Sequence, residues 1–156
     1  MSGRIGLGLD AHRLETGVPL MLGTVHIAHP AGLAGHSDGD VVAHALCDAL
    51  LSAIGDQDIG VIFPGTPEWA GVTGERMLQV VMDRVRAAGY SVANAHAVVV
   101  CEAPKLAPHR QAIQKALSAI VGAPVTVHAT TTDGMGPTGR GEGIACQAVA
   151  LVERDD

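Results

Sequence analysis

The chain has 156 residues, 47% of them hydrophobic but only 2% aromatic, and ten basic against sixteen acidic side chains give a formal charge of −6. That length suits one domain, 1–156, with a core of Ala, Val, Leu and Ile packed in small units; a core short of bulky filler favours an oligomer that shares apolar surface. No Lys/Arg cluster stands out, which argues against nucleic-acid binding over a basic face, and no apolar run is long enough to span a membrane.

The opening residues, MSGRIGLGLDAHRL, have neither a secretory apolar region nor transit-peptide character. Cys47, Cys101 and Cys146 sit in apolar contexts and are odd in number, so the chain reads as a soluble cytoplasmic protein with reduced thiols. Ile5, Leu7 and Leu9 alternate with smaller residues, the period of a half-buried strand, and Asp10 and His12 leave it two positions apart on one side. PLMLGTVHIA predicts a second strand. Pro30, Gly32 and Gly35 then break the pattern before a helix from about Ser37 to Ile54, whose Ser37 and Asp40 resemble a capping box.

DIGVIFPGTPEWAG is too rich in Gly and Pro for a long regular element and is a candidate functional loop. Met77, Leu78, Val81 and Val85 form a helical stripe that Gly89 ends. NAHAVVVCEA predicts a strand, and a helix from near Pro108, placed in its first turn, runs to Gly122. PVTVHAT and IACQAVALV are the last strands. The order, roughly β-β-α-α-β-α-β-β, predicts an α+β fold, a mixed four-stranded sheet with helices packed on one face.

Asp10, His12 and His44 make a three-ligand set suited to Zn²⁺ with an open fourth position. The same residues are also accounted for as surface loop side chains and a helix histidine bonded to backbone. Asp40, His44 and Asp48 are spaced four apart, so either aspartate is a candidate to accept the free N–H of a metal-bound histidine. Capping and solvent exposure explain them equally. An EF-hand is excluded, because Val42 stands where its third oxygen ligand belongs.

The segment TTTDGMGPTGRGEG, residues 130–143, holds G-x-G-x-x-G, but Pro137 interrupts it and a strand follows, which excludes a dinucleotide fingerprint; no Gly-Lys-Ser/Thr marks a P-loop. It reads either as a phosphate-holding loop or as a glycine-rich turn with an Arg140–Glu142 ion pair. The Pro-flanked turn CEAPKLAP, residues 101–108, is either a base-edge reader or a plain connection.

With Asp10-x-His12, HSDGDVVAH, DIGVIFP, APK and TTTDGMGPTGRGEGIAC in this order, the chain resembles the 2-C-methyl-D-erythritol 2,4-cyclodiphosphate synthase family of non-mevalonate isoprenoid biosynthesis over essentially its whole length. The resemblance implies a cytoplasmic homotrimer with active sites between subunits, in which a 2-phosphate attacks the β-phosphorus of a cytidine diphosphate derivative and CMP leaves. It implies Asp10, His12 and His44 as Zn²⁺ ligands and His36 and Thr131 as transition-state stabilisers. Ser37 and Ile59 would contact substrate, and Asp58 and Gly60, helped by Phe63, Pro64, Gly65 and Thr66, would bind its methylerythritol part. Ala103, Pro104, Lys105 and Leu106 would hold cytosine, with Thr130, Thr132 and Asp133 completing the nucleotide site. Mg²⁺ or Mn²⁺ would bridge the diphosphate through Asp133.

Asp133 stands where the family commonly has Glu, Gly65 where Asp is common, Pro137 where Phe is, and Gln147 where Glu is. Pro137 and Gln147, with Arg140, belong to a trimer-axis cavity that in relatives can hold an isoprenoid diphosphate. Two other readings remain open on the residues: a metal-dependent phosphohydrolase, and a trimeric nucleotide- or isoprenoid-diphosphate-binding protein without turnover.

Overall fold

The computed structural model describes residues 2–155. Strands β1 (Gly3–Thr16), β2 (Leu20–Leu22), β3 (Val25–Ile27) and β4 (Ala31–Leu33) precede helix α1 (Val41–Ile54) and the one-turn α2 (Ile59–Ile62). Then come α3 (Gly74–Ala87), β5 (Tyr90–Val100), α4 (Arg110–Val121), β6 (Val125–Thr130), the short α5 (Gly136–Gly139) and β7 (Gly143–Arg154). Among the described residues no helix is long and apolar enough to cross a membrane.

The main sheet is mixed, as expected, with β5 and β6 parallel and its other pairs antiparallel. It has five strands rather than the expected four, in the order β4-β1-β7-β5-β6. The addition is β4, where Ala31, Gly32 and Leu33 pair with Thr16, Glu15 and Leu14. Pro30 and Gly32 look like breakers in the sequence, but Pro30 precedes the ladder, where its missing N–H costs no strand bond and its carbonyl accepts the Gly17 N–H at 3.1 Å. Gly32 is there for space, since a Cβ on it would lie 2.3 Å from the carbonyl oxygens of both Val18 and Pro19.

PLMLGTVHIA is a hairpin of β2 and β3 and not one strand, because Gly23 and Thr24 both turn through positive φ. Helix α1 starts four residues later than expected. Its N-cap is Asp40, whose side chain accepts from the Ala43 N–H, so the Ser37 capping box is not made. Pro108 likewise stands before α4, whose N-cap is His109, and not in the first turn. The α3 stripe is buried as its spacing predicts, with Met82 added to Met77, Leu78, Val81 and Val85.

Asp40 is fully buried and accepts three backbone N–H groups, from Gly23 at 2.9 Å, Thr24 at 2.7 Å and Ala43 at 3.0 Å. It ties the strained hairpin turn to the start of α1. Burial pushes its carboxyl up, against the three donors that favour the ionised form. An Asp40→Ala protein is expected to lose about 3 kcal/mol or more of stability, because buried N–H groups left without an acceptor cost about 1–3 kcal/mol each. Urea unfolding reads this directly, and an unchanged midpoint would refute the role.

Helices cover one sheet face only. Ile144, Cys146, Ala148, Ala150 and Val152 of β7 point into the core beneath α1. On β1 the inward positions are Gly6 and Gly8, which let α1 lie directly on the strand backbone: a Cβ on them would fall 1.8 Å from the Ala49 oxygen and 1.9 Å from the Ala45 oxygen. The opposite face is apolar and open, with Ile5 73%, Leu7 57% and Leu9 69% exposed.

Candidate metal centre and its cleft

Period-two alternation on β1 sends Asp10 and His12 to the helix side of the sheet, and His44 meets them from the first turns of α1. His12 Nε2 lies 2.7 Å from Asp10 Oδ2 and 3.1 Å from His44 Nδ1, and His44 Nδ1 lies 3.0 Å from the same carboxylate oxygen. These three form the group of metal-binding type among the described residues. Burial alone pushes the Asp10 carboxyl up, but hydrogen bonds and charge from the two imidazoles outweigh it and hold it at about 2. The Asp10 bond in turn raises His12 against the opposing effect of burial.

The donor set suits a cation. The carbonyl of Ala34 can only accept, so the 2.8 Å contact to His12 Nδ1 puts a proton on that ring's outer nitrogen. Nε2 donates to Asp10, and displacement of that one proton by a cation leaves it a lone pair while the ring stays held by Ala34. His44 Nε2 is 3.1 Å from the Ser37 hydroxyl, which can take a hydrogen bond from it and so hold the ring with Nδ1 facing Asp10. Ligand atoms on a tetrahedral Zn²⁺ at about 2.0–2.1 Å stand about 3.3 Å apart, so this triangle need open by only a few tenths of an ångström.

The outer partners are therefore the Ala34 carbonyl and Ser37, and neither aspartate considered above takes that part. Asp40 is committed to its three backbone donors, and Asp48 Oδ1 accepts the Ile59 N–H at 2.9 Å. Backbone carbonyls leave no mark in a sequence, which is why Ala34 was not visible there. The cysteines are free and buried; burial pushes Cys146 up to about 12 and Cys47 well above the ordinary thiol range, so neither is a thiolate ligand.

A cleft of about 190 Å³ opens on the triad, and His36, Ser37, Ile59, Gly60 and Phe63 line it too. His36 Nε2 donates to the Thr66 carbonyl at 2.9 Å, joining it to the segment Pro64, Gly65 and Thr66. Asp58 caps α2 by accepting the Val61 N–H. Trp69, Val72 and Met77 also line the cleft, and Trp69 meets Phe63 edge-on with centroids 4.9 Å apart. Reading the sequence missed Trp69 and Val72 and placed Met77 only in the core stripe; a lone Trp in a glycine-rich loop was the available signal.

The remaining candidates gather elsewhere. Thr130 ends β6 beside Val100, and Cys101 N–H donates to the Thr130 carbonyl at 3.1 Å, so Ala103–Leu106 and Thr131–Asp133 extend from neighbouring strands. Glu102 accepts the Gly134 N–H at 3.0 Å and links the two segments. Asp133 has a φ of 52°, a left-handed conformation that Asp tolerates. None of these residues lines the cleft. They lie at the same sheet end but two to three strand spacings from β1, roughly 10–14 Å. Arg140 pairs with Glu142 at 2.8 Å, as the glycine-rich-turn alternative for this loop has it, while Pro137 and Glu142 border a second hollow of about 640 Å³ that His12 also lines.

Against known proteins, the YgbB family pattern matches residues 3–153. The chain is 53% identical over 153 residues to the bifunctional enzyme IspD/IspF of Clavibacter michiganensis subsp. michiganensis, covering 97% of this chain and 37% of that one. It is 49% identical to the 2-C-methyl-D-erythritol 2,4-cyclodiphosphate synthase of Marinobacter nauticus, covering 96% and 97%. A solved 2C-methyl-D-erythritol-2,4-cyclodiphosphate synthase with CDP bound superposes with a TM-score of 0.88 at 41% identity, covering 96% of this chain and 100% of that one. The chain thus spans about two fifths of the bifunctional relatives it matches.

Proposed function

The chain belongs to the YgbB family, and from that membership we propose that it converts 4-diphosphocytidyl-2-C-methyl-D-erythritol 2-phosphate to 2-C-methyl-D-erythritol 2,4-cyclodiphosphate and CMP, a step of isoprenoid precursor biosynthesis. The observation that carries the reading is the meeting of Asp10, His12 and His44 at one point of a cleft. An oxygen of the 2-phosphate attacks the β-phosphorus, the bond from that phosphorus to the bridging oxygen breaks, and CMP leaves with the electron pair.

Asp10, His12 and His44 would hold Zn²⁺, and Asp133 would contact Mg²⁺ or Mn²⁺ on the diphosphate. Such ions draw charge from the phosphate oxygens, which a protein of charge −6 does not do with a basic surface. The chain's own residues supply positioning. The Thr66 carbonyl fixes the His36 ring, which with Thr131 would stabilise the transition state, and Ser37 would contact substrate. Asp58, Ile59, Gly60 and the Phe63–Thr66 segment would wall the methylerythritol part. Ala103–Leu106, with Thr130, Thr132 and Asp133, would hold the cytidine end.

The distance between those two groups within one chain supports active sites completed between subunits. The open apolar band of Ile5, Leu7 and Leu9 supports a homotrimer packed through this sheet face. In an axial cavity Arg140 would meet an isoprenoid diphosphate only on releasing Glu142. The buried free thiols support a reducing, cytoplasmic setting.

Phosphorus NMR of the purified protein with its substrate is expected to give the cyclic diphosphate and one CMP per turnover, lost on thorough chelation and restored by Zn²⁺ with Mg²⁺. Sedimentation is expected to give the mass of three chains. An open-chain phosphate as product would instead mark a phosphohydrolase, and CDP binding without turnover of the substrate would mark a binding protein; either result rejects the proposal.

A further inference from the structure

We propose that Arg84 is a positioning residue for the cleft: through Asp56 it sets the place of the start of α2, and with it the wall formed by Asp58, Ile59 and Gly60. The identity of the substrate rests on the reading above, but the positioning itself does not.

Helix α2 has four residues and none of them is buried. So short a turn has no stability of its own; Ile59 and Ile62 are half-buried against the core and Phe63, just beyond it, is buried, so apolar contact holds its far end. Its near end, which carries Asp58, is set by polar bonds from its neighbours. Gly55 closes α1 with a left-handed turn, and the Asp56 N–H returns to the Leu51 carbonyl at 2.9 Å, so Asp56 hangs from the helix that carries His44. From α3, Arg84 grips this carboxylate with two prongs, Nε to Oδ2 at 2.7 Å and Nη2 to Oδ1 at 2.9 Å. A two-pronged contact fixes the orientation of the carboxylate as well as its distance. Asp56 Oδ1 also accepts the Gln57 N–H at 2.8 Å, which carries the constraint into the next residue. One step further, Asp48 on α1 takes the Ile59 N–H, and Asp58 caps the turn.

Charge adds a second reason. Asp48, Asp56 and Asp58 border one groove beside β1. Arg84 neutralises Asp56, while burial and the charge of Asp58 push the Asp48 carboxyl up. The pair is part-exposed, so its contribution to global stability is small. Its effect is local, on residues 56–58 between the end of α1 and the apolar contacts of Ile59, Ile62 and Phe63.

The test compares wild type, Arg84→Ala and Arg84→Lys by amide hydrogen exchange without substrate, and by steady-state kinetics. In Arg84→Ala the Ile59 and Val61 amides are expected to exchange roughly tenfold faster while those of Ala45–Leu50 hold their rates. KM for the substrate is expected to rise roughly five- to tenfold with kcat within about twofold, and CMP affinity unchanged. Arg84→Lys, which keeps the charge but loses the fork, is expected to recover part of both effects. Unchanged exchange at Ile59 and Val61, or acceleration spread equally through α1, overturns the proposal. A wild-type protein that makes no cyclic product refutes the assigned reaction instead, and the exchange result still decides the role of Arg84.

Discussion

If the proposed function holds, a His44→Ala protein is expected to lose zinc binding and about 10³-fold of cyclic-product formation, since a missing ligand removes both metal affinity and several kcal/mol of charge stabilisation on the reacting phosphates. His44 is the buried member of the triad, 4% exposed, and the one that comes from a helix. Without its ring Asp10 and His12 are left as a pair 2.7 Å apart, close enough to share a proton. Two ligands on one strand define a line and not a pocket, so the cation has no third direction to bind from. Metal analysis after gel filtration, product assay and thermal unfolding together separate loss of the centre from loss of the fold. One zinc per chain with full turnover in this variant would overturn the assignment.

Gly8→Val is expected to cost at least about 4 kcal/mol, the range that marks overpacking against atoms unable to move aside. A Cβ at Gly8 would lie 1.9 Å from the Ala45 oxygen and 2.6 Å from the Ala49 nitrogen, both backbone atoms of a helix with 11 buried residues. No rotamer relieves that contact, so α1 must lift from β1. Asp10 follows Gly8 by two residues and His44 directly precedes Ala45, so the lift parts the members of the proposed metal site as well. Urea unfolding and zinc titration are both expected to move, and a wild-type urea midpoint would refute the close packing. The glycine was visible in the strand, where an interior Gly signals a bulge or close approach, but its partner helix was not.

Features that depend on neighbours along the chain were the legible ones. Asp10 and His12 share a side because strand geometry has a period of two, and the α3 stripe follows from 3.6 residues per turn. The Arg140–Glu142 pair, one of the two readings of its loop, is two residues apart and is formed. Where reading failed, a distant group had overridden the local signal. Ser37 and Asp40 satisfy a capping pattern, yet Asp40 itself caps the helix while reaching back to Gly23 and Thr24, and Ser37 turns to His44. The fifth strand escaped notice because Gly32 and Pro30 break isolated chains, whereas here Gly32 makes room for the Val18–Pro19 backbone.

The sequence by itself determined the chemistry on offer: a carboxylate and an imidazole on one strand face, a second imidazole at a helix start, and a family of motifs in a defined order. Only the tertiary structure decided that His44 Nδ1 stands 3.0 Å from Asp10, a contact across 34 residues. That distance depends on two glycines without side chains letting a helix rest on a strand. It depends too on Asp40 anchoring the helix start, and on the Ala34 carbonyl turning the His12 ring. Covalent geometry sets spacing over a few residues, but the approach of whole elements is set by which surfaces can touch, and no local pattern records that.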